Sequence, residues 1–333
     1  MPSFKDIIGR DTELGIIRNA LANNRLAHAY IFSGPEGIGK RLFARALAKA
    51  LNCAAFDNDA CNSCDDCLMA DAGSHPLIME FWPTDKDGKV TEAGVIKIED
   101  IRALQNAIRY KVTRGKKTII VEAADRLHPN AANAFLKTLE EPPDDTLIIL
   151  ITARPSSLFQ TILSRCQRLN FAPLHTDIIR DWLIEKKGLE YEDAAAAARL
   201  SAGSMRTAVR CAETDEPKMR KELIEGLKSL DRDDTYGLLT LAETISKRDD
   251  LDDVLEFLKS WCRDMLVHSA GAGCLAINAV APETKSAASA QDLISSYYMI
   301  EETQRHIAPP RYGNKQLFME ALLMGLAGHG ALG

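Results

Sequence analysis

Residues 33–41 read S-G-P-E-G-I-G-K-R, and no other stretch of this 333-residue chain restricts its fold as much. The spacing is that of a phosphate-binding loop, G-x-x-x-x-G-K followed by Ser or Thr, with Gly34, Gly39 and Lys40 in place and Gly37 inside the loop. Glycines there let backbone N–H groups turn onto phosphate oxygens, and the lysine reaches the terminal phosphates. The flanks agree. Ala29, Tyr30, Ile31 and Phe32 form an apolar run suited to a buried strand. Leu42, Phe43, Ala46, Leu47 and Leu51 then recur at helical spacing. Strand, glycine-rich turn and helix are the context the motif requires. The hydroxyl position, however, is Arg41, and a cation cannot ligate Mg²⁺.

A second departure concerns the same reaction. Residues 118–121 are apolar or β-branched and lead into Glu122 and Ala123. This resembles the strand that ends in an acid near Mg²⁺, which in hydrolysing proteins is followed by a Glu that activates water. Glu122 could still reach a metal; Ala123 can polarise nothing. Arg41 and Ala123 together imply a nucleotide site without efficient ATP hydrolysis. Whether nucleotide still binds stays open, because the glycines and Lys40 remain.

Four of the eight cysteines cluster as C-x₇-C-x₂-C-x₂-C: Cys53, Cys61, Cys64 and Cys67. Three thiolates on one tight loop, with a fourth at the end of the preceding helix, suit one tetrahedral Zn²⁺. Four protein ligands leave no position for substrate, so such a site is structural. An iron–sulfur cluster or a loop of free thiols are the other readings of this spacing. Cys166, Cys211, Cys262 and Cys274 are scattered and read as buried small residues.

A net charge of −6 argues against a broadly basic nucleic-acid surface. No apolar run approaches the ~20 residues of a membrane span, and residues 1–5 lack a signal-peptide core. A cytoplasmic protein is expected. Up to about residue 172, strand-like runs alternate with helical patterns, which predicts a parallel sheet. The strands fall near residues 29–32, 77–82, 118–121, 147–152 and 167–171, the last at an edge. The helices fall near 12–22, 98–108, 129–141 and 156–164. Beyond Pro173 everything reads helical: a small cluster to Ala212, a polar linker over 213–217, then helices over 218–230, 235–247, 251–269, 287–306 and 314–326. Lys111, Arg114, Lys116 and Lys117 form a small basic run, read as a solvated turn rather than a DNA contact.

Thr161 to Cys166, with Ser164, Arg165 and Cys166 at its end, resembles the Ser-Arg-Cys motif of clamp-loader subunits in the AAA+ class. Asn133 to Pro143 is similar to that family's helix after the acidic strand, and Arg25 to Tyr30 to its approach to the P-loop. The cysteine loop and the helical second half match as well. Within the family, the chain resembles the branch of bacterial DNA polymerase III subunits that lack the P-loop hydroxyl and the acidic pair. The resemblance implies an α/β RecA-like P-loop core over 1–172 with an inserted zinc loop at 53–67. A small helical lid over 173–213 and an all-α collar over 214–333 would follow. It also implies ring neighbours, the gamma/tau and delta subunits, acting with a sliding clamp and primed DNA. Arg165 would point into an adjacent subunit's ATP site, where a guanidinium stabilises charge on the transferred phosphoryl group. An ion pair at a helix end is the other reading of Arg165. Arg206 matches the family's second sensor or packs the lid, and Thr152 is either a first-sensor residue or the plain end of a strand. The rival functions are an active ATP-driven motor using its own P-loop and a small-molecule P-loop kinase. The long helical second half and the Ser-Arg-Cys motif count against the kinase.

Overall fold

The computed structural model describes residues 1–85, 87–91, 94–112, 114–213, 223, 234–248, 251–273, 276, 288–307 and 314–328. They form two compact units, one of residues 1–178 with 203–206, the other drawn from 179–202 and 207–333.

The first unit is built on five parallel strands: β1 (Ala29–Ser33), β2 (Ile78–Phe81), β3 (Lys117–Val121), β4 (Thr146–Thr152) and β5 (Gln167–Asn170). Their order is β2-β3-β4-β1-β5. Period-two alternation sorts each strand's side chains onto two faces. Tyr30, Phe32, Ile120, Leu147 and Ile149 enter one core, where Phe43 and Leu47 of α2 (Lys40–Asn52) and Ile17 of α1 (Asp11–Ala22) cover them. Ile31, Ile119, Val121, Ile148 and Leu150 enter the other, with Ile101 and Leu104 of α4 (Ile98–Ala107) and Phe135 of α5 (Pro129–Glu140). The central strands are buried on both faces, which is why they read as unbroken apolar runs. The short α3 (Asp65–Asp71) belongs to the cysteine loop.

The expected strands are all present, with β5 at an edge as anticipated. Two expectations are corrected. The helix expected over 156–164 is a 3₁₀ turn at Pro155–Ser157 and a separate α6 (Gln160–Leu163). Between them Leu158 takes an extended ψ of 145° and turns into the core, which interrupts the helical run. Lys117 lies in no solvated turn. β3 begins one residue before the apolar run, so Lys117 is buried and its Nζ donates to the Ile108 carbonyl at 2.6 Å.

In the second unit every described element is helical. α7 (Thr176–Lys187), α8 (Tyr191–Leu200) and α9 (Met205–Glu213) are followed by α10 (Thr235–Ser246), α11 (Leu251–Ser269), α12 (Ala290–Ile307) and α13 (Lys315–Gly328). Phe257 and Trp261 of α11 anchor a core shared with Leu238, Ile300, Leu322 and Leu323. The helix expected over 218–230, apart from Leu223, lies outside the described residues, as do Cys274 and most of the expected linker. No helix among the described residues is long and apolar enough to cross a membrane.

Candidate functional site

The carboxyl ends of parallel strands form the crevice where ligands of open α/β sheets bind. Here the loop from Gly34 to Gly39 joins β1 to α2 at that edge. Gly34, Gly37 and Gly39 all have positive φ, at 146°, 72° and 98°. Gly37 is packed as well as turned. A Cβ there would stand 2.3 Å from Ser204 Oγ and 2.7 Å from Arg206 Cβ. The Arg206 N–H donates to the Gly37 carbonyl at 3.1 Å, while its side chain is exposed. From beneath, buried Arg10 donates to the carbonyls of Ile38 at 2.7 Å and Ala172 at 2.6 Å, fixing the loop to the end of β5.

Lys40 is turned onto its own loop. Its Nζ donates to the Gly34 and Pro35 carbonyls at 2.6 and 2.5 Å. Burial, opposed by Glu122 and Glu36, brings its ammonium down to about 8. Arg41 lies over the Trp82 ring with its Cζ 4.2 Å from the centroid, and its Nε is 3.8 Å from a carboxylate oxygen of both Glu80 and Glu122. Glu80 is also held by Arg45 through a bidentate pair of 2.5 and 2.7 Å. Burial raises the Glu122 carboxyl above its usual range despite the pull of Arg41. Glu122 Oε1 and Arg41 Nε each lack a hydrogen-bond partner, so their contact is coulombic. A magnesium-bound triphosphate needs a hydroxyl ligand and a lysine aimed at phosphate. Arg41 does not fit the place of that hydroxyl.

Ala123 follows Glu122 in the left-handed region, φ 46°. The acid that does engage the end of β4 is Asp125. Thr152 Oγ1 donates to Asp125 Oδ1 at 2.7 Å and accepts the Arg154 N–H at 2.9 Å. Arg154 closes on Asp125 Oδ2 with bonds of 3.1 and 2.8 Å. The Thr152 proton is therefore spent within the protein. Arg165, just after α6, is partly exposed. It donates to Glu140 Oε1 at 2.6 Å, to the Thr161 carbonyl at 2.9 Å and to Ser164 Oγ at 3.2 Å.

The four clustered cysteines converge, all sulfurs lying within 4.8 Å of one another. Cys53 caps α2 and Cys64 precedes α3, while Asn58 and Asn62 take the positive φ the loop needs. Sγ separations of 4.0 Å for Cys53–Cys64 and 3.9 Å for Cys61–Cys67 are near the roughly 3.8 Å edge of a tetrahedron of 2.3 Å Zn–S bonds. Backbone N–H groups of Cys61 and Cys64 point at the sulfurs of Cys53 and Cys61, as they do toward thiolates. The donor set fits a structural metal ion. Asp59, inside this loop, accepts the N–H groups of Phe4 at 2.8 Å and Lys5 at 3.1 Å. The loop thereby holds the N-terminal segment whose Phe4 packs against Phe43.

Of the scattered cysteines, Cys211 and Cys262 are buried as expected, and Cys166 is half-buried. Sequence reading did not single out Trp82, Arg45, Asp125, Glu140 or Arg10. Glu80 and Trp82 had a signal available: an acid and an aromatic at the end of the strand beside β3. The others are ordinary charged residues until the sheet order is known.

The strand order, with the P-loop between the first strand and its helix, defines an AAA+ P-loop protein. A family described as "DNA polymerase III, delta subunit" matches residues 10–175. The delta-prime subunit of Bacillus subtilis DNA polymerase III is 40% identical over 172 residues, 51% of this chain and 50% of that protein. The tau subunit of Escherichia coli is 34% identical over 214 residues, 62% of this chain and 32% of that protein. A solved gamma-subunit-related protein of Thermotoga maritima aligns with a TM-score of 0.48 at 19% identity, covering 95% of this chain and 99% of that one. Residues 10–175 belong to the clamp-loader subunit family of DNA polymerase III. The chain spans half the length of the delta-prime relative and about a third of the tau relative.

Proposed function

We propose that this chain is a non-hydrolysing clamp-loader subunit of the delta-prime kind. It works in the cytoplasm within an assembly of gamma/tau and delta subunits that places a sliding clamp on primed DNA. The observation that carries this reading is Arg41. A guanidinium held by Trp82, Glu80 and Glu122 stands beside the P-loop lysine, in the position of the metal-ligating hydroxyl. Ala123 supports it from the other side, since no carboxylate follows Glu122 to activate water. The active-motor reading needs a hydroxyl at residue 41 and a carboxylate at residue 123, where the chain has Arg41 and Ala123.

In this reading the core is residues 1–172, the lid 173–213 and the collar, which joins subunits, 214–333. Zn²⁺ in the cluster of Cys53, Cys61, Cys64 and Cys67 is structural. Arg206 ties the 203–206 segment to the P-loop through its backbone rather than sensing a phosphate. Arg165 acts in trans, offered to a neighbour's ATP site, where a guanidinium stabilises charge spreading over the phosphoryl oxygens. The chain thus has no turnover of its own and is needed for its neighbour's.

The test is ATP hydrolysis by the isolated chain with Mg²⁺, beside hydrolysis by the loader reconstituted with and without it. Negligible turnover alone and a marked gain on assembly are expected. Steady turnover by the isolated chain on the order of 1 s⁻¹, within the usual enzyme range, overturns the reading.

A further inference from the structure

We propose that Glu140 is a positioning residue for Arg165, holding the guanidinium in the orientation from which it meets the phosphates of an adjacent subunit. This rests on the reading of Arg165 as a residue acting in trans. α6 has only four residues and ends at Leu163 with Ser164 as its cap, so Arg165 leaves the helix at once. Its side chain folds back over that turn. Nη1 is fixed by the Thr161 carbonyl and Ser164 Oγ, and Nη2 is fixed from another element by Glu140. Of the five N–H donors of a guanidinium these contacts use three, leaving two for a phosphate.

Glu140 stands where local preference would not put it. It is the last residue of α5, with Glu141 as the cap. Acids at that end face the negative pole of the helix dipole, where a base is favoured. The partner that compensates Glu140 is Arg165, at 2.6 Å, reached only through the fold. Both side chains are open to solvent, 34% for Arg165 and 49% for Glu140. A pair so exposed is weak. It narrows the rotamers of a long side chain without locking it, so the two remaining donors can still be drawn to a phosphate. A shielded pair would withhold the guanidinium; no pair would leave it disordered.

Removing Glu140 has two opposed consequences. The guanidinium loses its orientation, which lowers the rate of the neighbour's chemical step. A negative charge also leaves the edge facing the neighbour's phosphates, which does not weaken ATP binding there. The signature is therefore a lower kcat with an unraised KM. A glutamine side chain keeps an acceptor oxygen at the same reach, so Glu140→Gln should recover most of the loss.

The experiment uses complete reconstituted loaders, checked for assembly by size exclusion, carrying Glu140→Ala, Glu140→Gln, Arg165→Ala, or both alanines. Clamp- and DNA-stimulated ATP hydrolysis is measured. The Arg165-dependent turnover is the difference between the parent and Arg165→Ala loaders. Glu140→Ala should lower it about two- to fivefold, the scale of an exposed pair's energy. KM should be no higher, and the double variant should match Arg165→Ala. Parental turnover for Glu140→Ala beside an impaired Arg165→Ala overturns the role of Glu140 and leaves the trans role standing. An equal Glu140 effect in the Arg165→Ala background also overturns it, because Glu140 then acts through the fold. Parental turnover for Arg165→Ala removes the trans reading and this proposal together.

Discussion

Arg41 and Trp82 form a cation–π pair, the guanidinium carbon 4.2 Å from the ring centroid, at the edge where a P-loop protein would hold its metal. Such a contact is worth about 0.5–2 kcal/mol. Here it also fixes a positive charge beside Glu122, whose carboxylate is left without a hydrogen bond on Oε1. Arg41 is thus part of a built network, not merely a missing hydroxyl.

Arg41→Thr separates binding from hydrolysis. It supplies the hydroxyl, vacates the space over Trp82 and frees Glu122 to face a Mg²⁺ ion. Affinity of the isolated chain for magnesium nucleotide, followed by titration calorimetry, should rise at least about tenfold, or ~1.4 kcal/mol. Turnover should stay negligible because Ala123 still offers no carboxylate. Unchanged affinity would put the block on Lys40 and the 203–206 segment instead.

Glu122 gives a pH signature with a definite sign. Its carboxyl is raised above the ordinary 4.5, chiefly by burial, with Arg41 pulling the other way. A carboxyl raised in the folded state costs stability while ionised, and the cost fades as pH falls through the raised value. Glu122→Gln should therefore be more stable than the parent at pH 7. That advantage should shrink on acidification and level off near pH 4.5. Native-state hydrogen exchange of the β3 amides measures it. An advantage that grows on acidification would mean the Arg41 pair outweighs burial.

Much of this site was legible one residue at a time. Gly34, Gly39 and Lys40 carry a spacing that only a strand–turn–helix satisfies, and the cysteine spacing forecasts a convergence that the sulfurs then show. What could not be read was partnership across the sheet. Glu80 and Glu122 are neighbours because β2 pairs with β3 in register, Phe81 beside Val121. Asp125 meets Thr152 because β4 follows β3 in the sheet. These are non-local pairings set by topology, and no periodicity encodes them. Leu158 broke an expected helix for a related reason, since burial of one side chain outweighed local propensity.

The cysteine loop should be a staple for the N-terminal segment. Protein purified without added zinc should carry about one equivalent of metal if all four thiolates bind it. Chelation, or Cys64→Ser, should free Asp59 from the N–H groups of Phe4 and Lys5 and speed exchange of those two amides. The sheet should stay folded, its cores being assembled elsewhere. Asp59→Ala should release the same amides at a cost of about 1–3 kcal/mol without loss of metal. Metal-free protein with four readily alkylated thiols would end this account.

Thr152 decides between a sensor and a brace. Its hydroxyl is buried, gives its proton to Asp125 Oδ1 at 2.7 Å and accepts the Arg154 N–H at 2.9 Å. A side chain so engaged has no donor left for a phosphate or an attacking water. Valine has nearly the same shape and cannot replace either bond. Thr152→Val leaves Asp125 with Arg154 alone and strands one backbone N–H. The expected cost is about 1–3 kcal/mol, read as faster native-state exchange of the β4 amides. Serine keeps the hydroxyl and should recover most of that loss. If Thr152 is a brace, hydrolysis by the assembled loader should be unchanged in both variants once folding is confirmed. Normal stability with altered hydrolysis for Thr152→Val would instead assign this residue to the nucleotide.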